Sequence, residues 1–154
     1  MADILEQVQR GIGGHNLRFY RHADRELLAF QTIGRNGNWA VEIAFDSEER
    51  ILTVRSALPL TVRRLQRHAV AELASRINSN ERDILFGLTD NGERMICRSC
   101  HRLSRQTDAR SIVALVENHI AAVDRHLPSF FAVAAGGQTP AEAIDQMARV
   151  RRFA

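Results

Sequence analysis

Two Asn-Gly pairs punctuate this chain, and each lies between two apolar, strand-like runs. The pairs are Asn36-Gly37 and Asn91-Gly92. Such a pair favours the type I′ turn of a β-hairpin, because both central residues of that turn need a positive φ, which asparagine and glycine tolerate. The sequence therefore predicts two hairpins and, with them, an antiparallel sheet.

A two-residue turn at Asn36-Gly37 also predicts a register for the first hairpin. The predicted cross-strand pairs are Trp39 with Gly34, Val41 with Thr32, Ile43 with Phe30, and Phe45 with Leu28. Nearly all of these residues are apolar and share one face, which is the pattern of a strand pair with one buried side. A third strand over residues 51–58 follows a polar loop and places Leu52 and Val54 on one face.

Apolar residues at helical spacing mark the segments around these strands. We predict an opening helix near residues 2–12, a second helix from a Thr61 cap to Asn78, and a third over 108–127, interrupted by Pro128. The second helix carries a predicted core stripe of Leu65, Ala69, Leu73 and Ile77. The third carries Ile112, Val116, Ile120, Val123 and Leu127.

The string Thr139-Pro140-Ala141-Glu142 predicts the start of one more, short helix. It combines an N-cap threonine, a first-turn proline and the glutamate of a capping box. The element order is then αβββαββα plus a C-terminal helix. The 154 residues are the size of one domain. We predict a single α+β domain over 1–154, with an antiparallel sheet and its helices on one face.

Both cysteines of the chain lie in the second hairpin, in the string Cys97-x-x-Cys100-His101. That string is typical of c-type haem attachment, and shorter versions bind zinc or perform thiol redox chemistry. A two-residue turn at Asn91-Gly92, however, pairs Leu88 with Met95 and Phe86 with Cys97. The cysteines then belong to a half-buried strand.

Alternation along this strand separates the two thiols. The predicted inward residues are Met95, Cys97, Ser99, His101 and Leu103. The predicted outward residues are Arg94, Ile96, Arg98, Cys100 and Arg102. Two strand residues three positions apart have Cα atoms about 10 Å apart, whereas a disulfide needs them within about 7 Å. We therefore predict packing rather than a metal, haem or disulfide site. A zinc site completed by a distant histidine is the alternative.

Two further histidines, His119 and His126, lie seven residues apart at the edge of the apolar stripe of the third helix. Two ligands on one helix face are compatible with a metal site, but half-buried packing is the usual role of such histidines. No GxSxG, HExxH or paired-carboxylate pattern is present. We predict no metal, no cofactor and no catalytic residues.

All 21 basic residues are arginine, and the chain contains no lysine. This absence excludes chemistry that depends on a P-loop lysine or a Schiff-base lysine. Two arginine groups are candidate partner-binding residues: Arg94, Arg98 and Arg102 on one strand face, and Arg63, Arg64 and Arg67 on one helix. Solubility is the ordinary role of exposed arginines. The alternative is a docking surface for an acidic protein segment or a nucleic-acid backbone.

Several strings resemble a known family. They lie in 58-LPLTVRRLQRHAVAELASRINSN-80, 85-LFGLTDNGERMICRS-99 and 114-ALVENHIAAVDRHLPSFFAVAAGGQTPAEAI-144. The most telling are Arg76-Ile77-Asn78, the stretch from Asp90 to Glu93, Asp124 to Pro128, Gly136-Gly137, and Pro140 to Ala143. Over about residues 25–145 the chain resembles the YbjN-domain family, a group described as candidate bacterial sensory transduction regulators.

The resemblance implies a fold and a function class. That family has a fold similar to type III secretion chaperones, which are small homodimers that hold an extended segment of another protein. We therefore expect a non-catalytic, dimeric protein-binding module, chaperone-like or regulatory, with an unidentified protein partner. The small residues Val70, Ala71 and Ala74, off the predicted helix stripe, are a candidate dimer contact.

Two alternatives to a protein-binding module stay open. One is a nucleic-acid-binding accessory protein that uses the arginine faces, and the other is a metal protein centred on Cys97, Cys100 and His101. No apolar run approaches the roughly 20 residues that span a bilayer. The acidic, amphipathic start MADILEQVQR differs from a signal peptide, so we expect a cytoplasmic protein with no membrane contact.

Overall fold

The computed structural model describes residues 3–13, 17–22 and 24–153, which form four α-helices and six β-strands. The helices are α1 (Ile4–Ile12), α2 (Arg67–Asn78), α3 (Ala109–Ala134) and α4 (Pro140–Phe153). The strands are β1 (Phe19–His22), β2 (Leu27–Ile33), β3 (Asn38–Asp46), β4 (Ile51–Thr61), β5 (Leu85–Leu88) and β6 (Arg94–Arg102). A 3-10 turn, Arg64–Gln66, precedes α2.

The strands form one antiparallel sheet in the order β1-β2-β3-β4-β6-β5. Burial alternates along the long strands, and the buried residues of one face pack against the helices. The predicted α+β fold, with an antiparallel sheet and helices on one face, is confirmed. Strand β1 was not predicted, because its four residues Phe-Tyr-Arg-His show no apolar alternation.

The first hairpin has the predicted faces but not the predicted register. Trp39 pairs with Thr32, and Ile43 pairs with Leu28, so the register differs by two residues from the prediction. A shift of two preserves the face of every side chain, and the predicted inward residues are indeed buried. The turn is a four-residue loop, Gly34 to Gly37, closed by a hydrogen bond from the Gly34 amide to the Gly37 carbonyl at 2.8 Å.

Helix α3 determines the shape of this loop. The Asp124 carboxylate accepts hydrogen bonds from the backbone amides of Arg35 at 3.2 Å and Asn36 at 2.9 Å. Gly34 makes the close approach possible, because a Cβ atom there would lie 2.3 Å from the Asp124 carboxylate. A type I′ turn was predicted from local chemistry alone, and the contact with a residue far along the chain favours a different loop.

Pro128 lies inside α3 instead of ending it. A proline has no N–H, so the carbonyl four residues earlier loses its helical partner. That carbonyl belongs to Asp124, and it accepts a hydrogen bond from the Asn36 side-chain amide at 2.9 Å. The first hairpin therefore satisfies the group that the proline leaves free, and α3 continues to Ala134.

The second hairpin has the predicted register, with Leu88 opposite Met95 and Phe86 opposite Cys97. Its turn is not type I′, because Gly92 has a φ of 69° whereas Asn91 does not have a positive φ. The Gly92 amide donates to the Thr89 carbonyl at 2.7 Å, and the Thr89 amide donates to the Arg94 carbonyl at 2.9 Å.

Helix α2 begins later than predicted and buries a different stripe. Strand β4 continues through Thr61, and the chain makes a 3-10 turn before α2. Leu65, a predicted core residue, is 92% exposed on that turn. Val70 and Ala74 are instead buried in the core of the same chain, together with Leu73 and Ile77. The candidate dimer contact is therefore wrong for Val70 and Ala74; only Ala71 is exposed.

The capping box at the start of α4 is present as predicted. The Thr139 amide donates to the Glu142 carboxylate at 2.8 Å, and the Glu142 amide donates to the Thr139 hydroxyl at 3.2 Å. Within the described ranges, no helix combines the length and the apolar character that crossing a membrane requires.

Candidate functional site

Strand β6 presents different chemistry on its two faces. Cys97 is fully buried, whereas Cys100 is exposed on the opposite face, as the alternation predicts. Burial raises the pKa of the Cys97 thiol to about 12. Cys100 lies 3.7 Å from the Thr53 hydroxyl. The two thiols therefore cannot join in one disulfide or share one metal ion.

The inner face of β6 takes part in a buried polar network. His119, on α3, is 1% exposed and lies between two serine hydroxyls of the sheet. Its Nε2 is 2.9 Å from the Ser56 Oγ, and its Nδ1 is 2.8 Å from the Ser99 Oγ. The Trp39 indole N–H donates to the Ser56 Oγ at 3.1 Å. Burial lowers the pKa of His119 to about 4, so its imidazole is neutral at pH 7.

His126, the second histidine of α3, belongs to a separate cluster. Glu81 accepts from its Nε2 at 2.9 Å and from the Arg125 guanidinium at 3.0 Å, and the Met147 Sδ lies 3.2 Å from its Nδ1. Burial disfavours ionisation of Glu81, but the hydrogen bonds from His126 and Arg125 outweigh it, and the Glu81 pKa is lowered. Burial lowers the pKa of His126 against the opposing effect of Glu81.

The outer face of the sheet carries the arginines of β6. Arg94, Arg98 and Arg102 are exposed on one side of the strand, as predicted. Arg98 pairs directly across the sheet with Arg55 of β4, and Arg55 pairs with Glu42 of β3. The Arg55–Glu42 ion pair is 3.5 Å long, and Arg102 has an ion pair with Glu49 at 3.4 Å. Among the described residues, Arg98 has no ion pair.

Small residues surround this arginine pair. The half-buried outward positions of the central strands are mostly alanine or β-branched: Ala29, Ala40, Ala44, Thr53, Ala57 and Ile96. Helices pack on the opposite face, so this outer face is a shallow floor with charged side chains at its centre. We call it the open face.

The second arginine group is not a helical face. Arg63 and Arg64 are exposed before α2, on the extended chain and the 3-10 turn, and Arg67 begins the helix. Arg67 is half-buried with its side chain against Gly92, where a Cβ atom would lie 2.9 Å from the Arg67 Cδ. Only Arg63 and Arg64 of this group are exposed.

The metal alternative finds no support in the geometry. Over residues 3–13, 17–22 and 24–153, no group of three or more His, Cys, Asp or Glu side chains is arranged to hold a metal ion. His101 is half-buried on the inner face with Cys97, away from Cys100. The Cys97, Cys100 and His101 string therefore does not assemble into one site.

The roles of Ser56, Ser99 and His119 were not predicted from the sequence. His119 lies at the edge of an apolar stripe, which predicts packing, and its serine partners are 63 and 20 residues away in the sequence. The one sequence signal of the network is a serine at an inward position of each of two strands, although the sequence does not show that these strands pair. Ser56 and Ser99 are those residues.

Comparison with known proteins bears on the fold alone. No protein-family model matches the chain, and no curated protein matches its sequence. The fold is similar to the crystal structure of YbjN from E. coli, which is described as a candidate transcription regulator. The TM-score is 0.62 at 14% identity, over 87% of this chain and 92% of that one. The resemblance to YbjN is thus confirmed at the level of the fold.

Proposed function

We propose that this chain is a non-catalytic protein-binding module, regulatory or chaperone-like, whose open face binds an acidic segment of a partner protein. The observation that carries the proposal is the cross-strand pair of Arg55 and Arg98 at the centre of that face. Like charges directly opposite each other on neighbouring strands destabilise a sheet. A carboxylate bound between them would relieve that repulsion through charge-assisted hydrogen bonds.

The shallow shape of the open face favours an extended peptide or a helix as the bound partner segment. Alanines at Ala40, Ala44 and Ala57 keep the floor low, so a backbone can approach the sheet closely while its acidic side chains reach the arginines. Recognition of acidic segments by arginine clusters is a recurrent mode of protein binding. The described regulatory role of YbjN, a protein with a similar fold, agrees with a binding function.

The experiment that tests this proposal is titration with a defined peptide. A short helical peptide of glutamate and alanine, and its glutamine counterpart, are added to isotope-labelled protein and followed by NMR. We expect the acidic peptide alone to shift the amide signals of residues 53–57 and 96–100. Arg98→Glu removes the shifts, whereas Arg149→Glu, an exposed reversal on α4, leaves them unchanged. Equal shifts from both peptides contradict the proposal.

A duplex DNA fragment tests the nucleic-acid alternative in the same assay. Binding to a phosphate backbone weakens steeply with salt, because bound counterions are released. DNA binding that exceeds peptide binding and disappears at high salt would favour the alternative.

The proposal includes a homodimer, which the resemblance described above implies, and a cytoplasmic location. Since Val70 and Ala74 are core residues, a dimer would use another surface. Light scattering of the purified protein measures the oligomeric state. A monomer at all concentrations would remove the dimer and leave the binding face to be tested by the peptide.

A further inference from the structure

A cavity of about 450 Å³ lies between the loop 80–84, strand β6 and helix α3. Its volume is within the range of small-molecule pockets, about 300–1,000 Å³. It is distinct from the open face, because β6 presents Ser99 and His101 to it on the inner side of the sheet. Its polar lining includes Glu81, Arg82, Asp83, Ser99, His101 and Arg125.

The pattern of donors and acceptors around His119 leaves one hydroxyl hydrogen, that of Ser99, free to donate into this cavity. The Trp39 indole only donates, so Ser56 accepts from it. If His119 carried its proton on Nε2, the Ser56 hydroxyl oxygen would accept hydrogen bonds from both Trp39 and His119. The buried hydroxyl hydrogen of Ser56 would then have no partner among the described residues. With the proton on Nδ1, Ser56 donates to Nε2 and His119 donates to Ser99. The hydroxyl hydrogen of Ser99 then remains available at the cavity wall.

His101 supplies a second unused polar atom. Its Nε2 is buried and has no hydrogen bond to any residue that the structure describes. Ser99 and His101 are two residues apart on one strand face, so their Cα atoms are about 7 Å apart. Buried polar atoms in proteins nearly always have a partner, so this atom is free to bond a ligand or a solvent molecule.

The charges around the cavity are balanced. Glu81 and Asp83 are matched by Arg82 and Arg125, and burial lowers the pKa values of both His101 and His119, which leaves these histidines neutral at pH 7. A wall with both signs of charge and no net charge is complementary to a dipolar molecule, and less so to a simple anion or cation.

We propose that this cavity binds a small zwitterion with the size and charges of a free α-amino acid. Its carboxylate would accept from the Ser99 hydroxyl and from an arginine at the rim, and its ammonium group would face Asp83 and the His101 ring. This inference does not depend on the proposed protein-binding function, since it concerns the opposite face of the sheet.

The test is NMR titration of the full isotope-labelled chain with the common α-amino acids, one at a time at millimolar concentration. Acetate and ethylamine serve as the anionic and cationic probes. We expect at least one zwitterion to shift the amide signals of residues 80–84, 99 and 101, and neither singly charged probe to do so. The absence of shifts with every amino acid, or the same shifts with acetate, would overturn the proposal.

Two variants locate the binding. Ser99→Ala removes the free donor, and we expect the Kd to rise about tenfold or more, as for the loss of a hydrogen bond to a charged group. Thr53→Ala removes a hydroxyl from the opposite face of the same sheet and should leave the Kd unchanged. Because Ser99 is buried, Arg82→Ala at the exposed rim is the second variant, expected to weaken binding without loss of folding. Wild-type affinity in both Ser99→Ala and Arg82→Ala contradicts the site.

Discussion

The two faces of strand β6 differ in almost every physical respect although their residues alternate along one short segment. The inner face carries the buried Cys97 and Ser99 and the half-buried His101, and the outer face carries the exposed Arg98 and Cys100. The environment of one residue in this strand therefore does not indicate the environment of the next. The face decides whether a substitution changes stability, reactivity or binding.

Thiol reactivity should show the largest difference between the faces. The thiolate is the reactive form, and a pKa of about 12 leaves Cys97 almost entirely protonated near pH 8. We expect Cys100 to react with a disulfide reagent in the native protein at least about a thousandfold faster than Cys97. The single variants Cys97→Ala and Cys100→Ala assign the two rates. Similar rates for both thiols would show that the inner face opens readily.

Removal of the His119 ring should cost more stability than any surface change. His119→Ala deletes two buried hydrogen bonds, leaves the Ser56 and Ser99 hydroxyls without that partner, and opens a cavity. We expect a loss of about 3–5 kcal/mol in the free energy of unfolding, measured in urea. The matched control is His68→Ala on the exposed side of α2, expected to change it by less than about 0.5 kcal/mol. Similar losses for both variants would contradict the role of the network.

Acid should lower the stability of the folded protein through His119, which bonds to the inner face of the sheet. The pKa of His119 is about 4 in the folded protein and 6.5 when unperturbed, so the unfolded state binds its proton first. Stability is therefore fully present above about pH 6.5 and is lost as the pH falls toward 4, by about 3 kcal/mol in total.

The measurement is the urea midpoint as a function of pH, with His119→Gln as the reference. The difference between the two proteins isolates His119 from the carboxylates that also titrate. The same slope in both proteins between pH 6.5 and 4 would show that His119 does not titrate in this range.

The smallest effect is expected for the central arginine of the open face. Arg98→Ala removes a like-charge neighbour of Arg55, so we expect unfolding stability to stay constant or to rise by up to about 0.5 kcal/mol. The same variant should abolish binding of the acidic peptide. Arg149→Ala is the control for both measurements. A clear loss of stability in Arg98→Ala would mean that the arginine supports the fold rather than a partner.

Local sequence patterns predicted the faces of the sheet better than its register or its ends. The alternation of apolar and arginine residues in β6 was sufficient, because period-two burial is a local property. The register of the first hairpin is not determined by local sequence. The Asp124 carboxylate accepts hydrogen bonds from the amides of Arg35 and Asn36, which lie 88–89 residues away in the sequence. The predicted start of α2 was wrong because β4 extends past Pro59 to Thr61, the residue predicted to cap the helix, and a 3-10 turn then precedes α2.

The candidate sites could be predicted only in part. The arginines of β6 were identified from their face, but their neighbour Arg55 comes from another strand whose pairing with β6 the sequence does not display. The cavity forms because Ser99, His101 and His119 lie next to the loop 80–84 in the fold. No short sequence motif predicts that these segments are close in space. Chemistry assembled across a sheet requires the strand order, which the turns alone do not determine.

The bond between Asn36 and the carbonyl freed by Pro128 has a consequence for the order of folding. It joins groups 88 residues apart, so the chain must close a long loop before the bond can form. Because closing that loop is costly, we expect this contact to form after the transition state, with a φ-value near zero. In a kinetic experiment, Asn36→Ala should then accelerate unfolding and leave the refolding rate nearly unchanged, so that this hairpin tip acts as a latch on the finished molecule.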